Sequence, residues 1–187
     1  ACGEWNTITE EIIEKTSSTK SGKSFTSRNT QAQKINEVDL LQEARISSKD
    51  QELDRVLGDG IVPGSVILLG GEPGIGKSTL MLQMVMQLDK KTLYISGEES
   101  LQQIKLRADR IQGNQDTTYL LAATNTQKIL HQLEKEKPDL LIVDSIQTLH
   151  TDYIDSSPGS ISQIRECASE LIDFAKNTQT PIILIGH

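Results

Sequence analysis

Gly71-Glu72-Pro73-Gly74-Ile75-Gly76-Lys77-Ser78 satisfies the pattern G-x-x-x-x-G-K-[ST], that of a phosphate-binding loop between a strand and a helix. Glycines let the backbone turn tightly enough for successive N–H groups to point inward at phosphate oxygens, and a helix opening near Ser78 adds its positive N-terminal end. Lys77 is then the mobile cation for the β and γ phosphates, the Ser78 hydroxyl a ligand for Mg2+, and Thr79 a second hydroxyl near the α phosphate. At average residue frequencies such a pattern arises by chance in a chain of this length with a probability below about 1%, so a Gly-rich turn without a ligand is a poor account of it. Residues 71–79 are therefore the candidate nucleotide-binding stretch.

The context agrees. An apolar run, Val66 to Leu69, leads into the loop, and the segment after it, Leu80 to Met86, is apolar nearly all round, as a helix lying under a sheet should be. Four more short apolar runs follow at Leu93–Ile95, Tyr119–Ala122, Leu140–Val143 and Ile182–Ile185. They are continuous rather than alternating, which is what strands buried on both faces of a parallel sheet require. The expected fold is α/β, with three αβα layers around a mainly parallel sheet.

Helix signals separate the strands. Ser100 and Gln103 form a capping box, with Gly113-Asn114 as the stop; Asn125 or Thr126 caps the next helix, which Pro138 ends. Pro158-Gly159 precedes a second capping box at Ser160 and Gln163. Ile161, Ile164, Ala168, Leu171 and Ala175 then recur at helical spacing and predict one buried face, with Cys167 beside it as a small core residue.

A phosphate loop needs a carboxylate on its metal side, expected at the end of a neighbouring strand. Leu140-Leu141-Ile142-Val143-Asp144 supplies one, and Asp144 is the candidate to hold Mg2+ through a water. Glu98 and Glu99 follow the Leu93–Ile95 run and must emerge at the same edge. Glu98 is the candidate to orient and deprotonate the attacking water, while Glu99 could equally well favour the positive start of the helix at Ser100. Ser145 either tethers the metal-side water or simply begins a turn.

Composition bounds the rest. The 187 residues carry a formal charge of −7 and give a pI near 5.0, which argues against a broadly basic surface coating nucleic acid. Lys15 to Lys34 is a polar stretch with five basic residues and no acids, read as a solvated linker. Within it Ser21-Gly22-Lys23-Ser24 ends like a phosphate loop, but Ser17 stands where the first glycine is required. Two cysteines are too few for a disulfide scaffold. No apolar run approaches a membrane span and the start shows no leader pattern, so the chain is expected to be soluble and cytoplasmic, without a membrane partner.

Taken together, several blocks in order resemble the bacterial RadA (Sms) family of RecA-like recombination ATPases: ACGEWNT, ELDRVLGDGIVPGS, GGEPGIGKSTL, YISGEES with QQIKLRADRI, IVDSIQTL and ILIGH. The resemblance implies a RecA-like P-loop NTPase core over 36–187, truncated on its C-terminal side, after a linker at 11–35 and the remnant of a zinc ribbon at 1–10. It makes Cys2 the fourth zinc ligand of the longer protein, with no zinc expected here because the other three are absent. It makes Glu98 the catalytic glutamate, with Lys77 beside it in catalysis, Asp144 the Walker B aspartate, and His187 a γ-phosphate sensor. It implies ATP and ADP as ligands with Mg2+, single-stranded or branched DNA as substrate, a RecA-type recombinase as partner, and a homohexamer. The rival reading is an ATP-gated assembly or regulatory module of the KaiC-like or DnaB-like type.

Overall fold

The computed structural model describes residues 44–111 and 113–187, together with residues 32 and 34–37. The expected ribbon remnant with Cys2, and nearly all of the linker with its Ser21–Ser24 decoy, lie outside the described residues. The chain divides into two units, and the second, Asp39–His187, holds every element discussed below. In order these are α1 (Gln51–Val56), β1 (Val66–Gly70), α2 (Lys77–Val85), β2 (Thr92–Ser96), α3 (Leu101–Ala108), β3 (Thr118–Ala122), α4 (Thr126–Glu136), β4 (Leu140–Asp144), α5 (Ile161–Thr178) and β5 (Ile182–Gly186).

All five apolar runs are strands of one parallel sheet in the order β1-β5-β4-β2-β3. The pleat sorts their side chains between two cores. Leu140 and Ile142 pack with Met81, Leu82 and Val85 of α2 and Ile104 and Ala108 of α3. Leu141 and Val143 pack on the other face with Ile129 and Leu133 of α4 and Cys167, Leu171 and Ala175 of α5. The expected three layers follow, and each Leu, Ile, Val or Met side chain among them that is fully withdrawn from water stabilises them by about 1.5–3 kcal/mol. Burial, followed by the charge of Glu170, pushes the Cys167 thiol up to about 11, which suits a packing role rather than a reactive one.

Before the sheet, Asp50 caps α1 by accepting from the amides of Glu52 and Leu53. Asp54 in that helix accepts from Ser48 N and Ser47 Oγ, both at 2.7 Å, and hydrogen bonds from these two serines hold its carboxyl below its ordinary value. The ELDR block thus ties α1 to the Ser47-Ser48 turn that precedes it.

Four expectations need correction. β4 is not the neighbour of β1: β5 stands between them, because parallel strands joined by helical crossovers need not lie side by side in chain order. α3 stops at Ala108, capped at Asp109, and Asn114 N instead donates to Met86 O at 2.7 Å. Gln163 accepts no bond from the Ser160 amide. Its side chain reaches back to the 151–156 loop, where Oε1 accepts from Thr151 N at 2.8 Å and Nε2 donates to the carbonyls of Thr151, Ile154 and Ser156. Ile161 is 78% exposed, so the buried stripe of α5 is Gln163, Cys167, Leu171 and Ala175 at strict four-residue spacing, flanked by Ile164 and Ala168.

Candidate active site

Strand register brings the chemistry to one edge. Gly70 pairs with Gly186, Asp144 with Ile185, and Ser96 with Asp144, so the segments that follow β1, β5, β4 and β2 all leave the sheet on one line. This is the carboxyl end of a parallel sheet, where open α/β folds bind their ligands.

There a cleft of about 330 Å³ opens. One wall is the phosphate loop, through Pro73, Gly74 and Gly76, with Lys77, Ser78 and Thr79 of the first turn of α2. Glu98, Asp144 and His187 face it from the ends of three strands, with Arg107 and Ile185 completing the lining. Candidate residues from four separated stretches of sequence therefore do meet. Gly71, Glu72 and Ile75 belong to the loop without lining the cleft; the Ile75 side chain is 63% exposed.

Gly76 is the N-cap of α2 at φ 97, a left-handed conformation that costs glycine little, so the helix opens with Lys77 and leaves its first amides facing the cleft. Lys77 Nζ donates to the loop's own carbonyls, Gly71 O at 2.6 Å and Glu72 O at 2.7 Å. The charge is thus held over the loop, where an incoming anion would compete for it.

Each carboxylate of the site has its own protein partner. Ser145 Oγ donates to Glu98 Oε1 at 2.9 Å. Arg107 Nη1 pairs with Glu99 Oε1 at 2.9 Å, while Arg107 Nε and Nη2 are buried without a hydrogen-bond partner among the described residues. Tyr94 Oη donates to Asp144 Oδ2 at 2.7 Å. Burial, then the neighbouring charge of Asp144, drives the Tyr94 phenol well above its ordinary value, so it stays a proton donor. Ser96 Oγ accepts from the amides of Glu98 and Glu99 at 3.4 and 2.9 Å and shapes the turn that carries them. His187 is placed by its carbonyl, which accepts from Gln147 Nε2 at 2.8 Å.

This arrangement gives the two neighbouring acids different surroundings: Glu99 is tied to a cation, and Glu98 faces the cleft on a neutral hydroxyl. Ser145 is the tether of Glu98. Neither Tyr94 nor Arg107 was found from sequence. Tyr94 sits inside an apolar strand and reads as core, although a buried tyrosine hydroxyl usually has a partner and that is the signal available. Arg107 reaches back along α3 towards its N-terminus, as helical side chains do, across a distance that no short motif records.

The donors Ser78 Oγ and Asp144 are hard oxygens beside a phosphate loop, a set that fits Mg2+. Among the described residues there is no cluster of three or more His, Cys, Asp or Glu able to hold a metal ion; Cys2 lies outside them.

Gly97 packs against the turn after β4 with no room for a side chain. Its N–H donates to Asp144 O at 2.9 Å, and a Cβ at this position would meet the Thr148 side chain, 2.6 Å from its Cβ. Gly97→Ala is expected to displace the Ile146–Thr148 turn and to lower stability by about 1–3 kcal/mol in denaturant unfolding, as overpacking does.

Residues 31–187 match a family described as "AAA domain". The whole chain is similar to proteins named DNA repair protein RadA: 48% identical to that of Haemophilus influenzae, 45% to that of Halalkalibacterium halodurans and 43% to that of Bacillus subtilis. It spans 42% of the length of each of these relatives.

Proposed function

The chain belongs to the AAA domain family, and from that premise we propose that it is the ATP-binding and ATP-hydrolysing core, over 36–187, of a RadA-like DNA repair ATPase. The observation that carries this is one cleft lined by Lys77, Ser78, Glu98 and Asp144 at the carboxyl edge of the sheet.

Each residue then has a task. Loop amides and the Lys77 ammonium hold the phosphates, at a helix N-terminus already suited to anions. Ser78 and Asp144 hold Mg2+, which supplies charge neutralisation on the phosphates when bound. Glu98, steadied at one oxygen by Ser145, orients the attacking water and takes its proton at the other. His187 follows β5, which lies between the loop strand and the Asp144 strand, and lines the cleft; in this reading it is the sensor of the terminal phosphate.

By its resemblance to the RadA family, the longer protein is proposed to work in the cytoplasm as a homohexameric motor on single-stranded or branched DNA, with a RecA-type recombinase as partner and Cys2 in a zinc ribbon. No helix among the described residues is long and apolar enough to cross a membrane. Calorimetry with ATP, ADP and GTP, followed by turnover with and without single-stranded DNA, tests the reading. ATP is expected to bind and turnover to rise with DNA; absence of heat with all three nucleotides would sink the proposal. Turnover indifferent to DNA but coupled to ring assembly would transfer it to the ATP-gated module.

A further inference from the structure

We propose that Tyr94 is a positioning residue for the metal side of the cleft, its one hydroxyl fixing the Asp144 carboxylate relative to the helix start that carries Ser78. The inference rests on the assignment of Ser78 and Asp144 to Mg2+ made above, and it names a residue that the phosphate-loop pattern does not contain.

Tyr94 is fully buried, its ring part of the core under α2. Strand register explains its reach. Tyr94 pairs with Ile142 while Ser96 pairs with Asp144, so Tyr94 lies one diagonal step from Asp144 on the same face of the sheet. Such a diagonal is too long for most side chains and within range of an aromatic one bearing a polar tip. The hydroxyl donates to Asp144 Oδ2 at 2.7 Å and stands 3.4 Å from the carbonyl of Ser78 in the first turn of α2. With Oδ2 engaged, Oδ1 is the oxygen of Asp144 without a hydrogen-bond partner among the described residues. One proton donor thus touches both halves of the metal-side pair, one on β4 and one on α2. Groups that orient a metal-side carboxylate from behind typically change metal affinity by about 10- to 100-fold when removed.

A tyrosine serving packing alone would give a different signature, and ATP titrations by calorimetry in Mg2+ and in EDTA separate the two. The proteins compared are the wild type, Tyr94→Phe, Asp144→Asn and the double variant. Tyr94→Phe is expected to lose about tenfold or more of the Mg2+ enhancement of ATP affinity, to keep its affinity in EDTA, and to add no further loss in the Asp144→Asn background. An undiminished enhancement in Tyr94→Phe, or an equal loss with and without Mg2+, overturns the positioning role and leaves the site assignment standing. Absence of any Mg2+ enhancement in the wild type removes the assignment and the inference together. Should the Phe variant fail to fold, Tyr94→Met, which keeps apolar volume without the hydroxyl, is read by the same criteria.

Discussion

Glu98→Gln is expected to bind ATP with an affinity within about twofold of wild type while turnover falls about a hundredfold or more, the loss expected for a positioned general base. The amide matches the carboxylate in size and its oxygen still accepts from Ser145 Oγ, so the turn held by Ser96 stays in place. What disappears is the ability to take a proton. Glu99→Gln is the informative companion. It removes the charge that faces Arg107, a guanidinium whose Nε and Nη2 already lack partners, and so strains the α3 side of the cleft without touching the proton acceptor. Steady-state turnover and equilibrium binding measured on both variants discriminate the two acids. Turnover unchanged in Glu98→Gln would remove this residue from the mechanism, and a larger loss in Glu99→Gln would exchange their roles.

The two glutamates also mark where sequence stops being informative. The phosphate loop is legible because its function lies in consecutive backbone amides, so the whole device fits within eight residues between Gly71 and Ser78. The inner strands β2, β4 and β5 are legible because burial on both faces demands unbroken apolar runs, and Asp144 because an acid ending such a run has left the core; β1 and β3 carry similar runs but stand at the sheet edges with Leu68 and Tyr119 exposed, so the expectation of burial on both faces does not hold for them. Partners that meet through the fold are not legible. The order of strands follows from how helices cover the sheet, so nothing in the spacing says that β5, and with it His187, separates β1 from β4. Tyr94 reaches Asp144 only because β2 and β4 are adjacent and in a particular register, and Arg107 reaches Glu99 only because α3 folds back beside the edge. Gln163 misleads for a related reason. Its spacing from Ser160 matches a reciprocal cap, but the loop at 151–156 offers more hydrogen bonds than the cap does.

Asp144→Ala is expected to abolish most of the Mg2+-dependent part of ATP affinity while affinity in EDTA is retained, because the loop amides and Lys77 bind phosphate without the metal. The variant carries a second, separable cost. Tyr94 Oη loses its acceptor at 2.7 Å and is left buried with only the Ser78 carbonyl at 3.4 Å, a longer and weaker contact. An unsatisfied buried hydroxyl costs about 1–3 kcal/mol, so Asp144→Ala is also expected to unfold at lower denaturant concentration. Asp144→Asn divides the two effects. Its amide oxygen accepts from Tyr94 and recovers most of the stability, yet without the negative charge it does not recover the affinity for the metal. Binding in Mg2+ and in EDTA, set beside denaturant unfolding of the three proteins, makes the division measurable. If Asp144→Asn restored Mg2+-dependent binding along with stability, the carboxylate would be an acceptor for Tyr94 and nothing more, and the metal would have to be held elsewhere in the cleft.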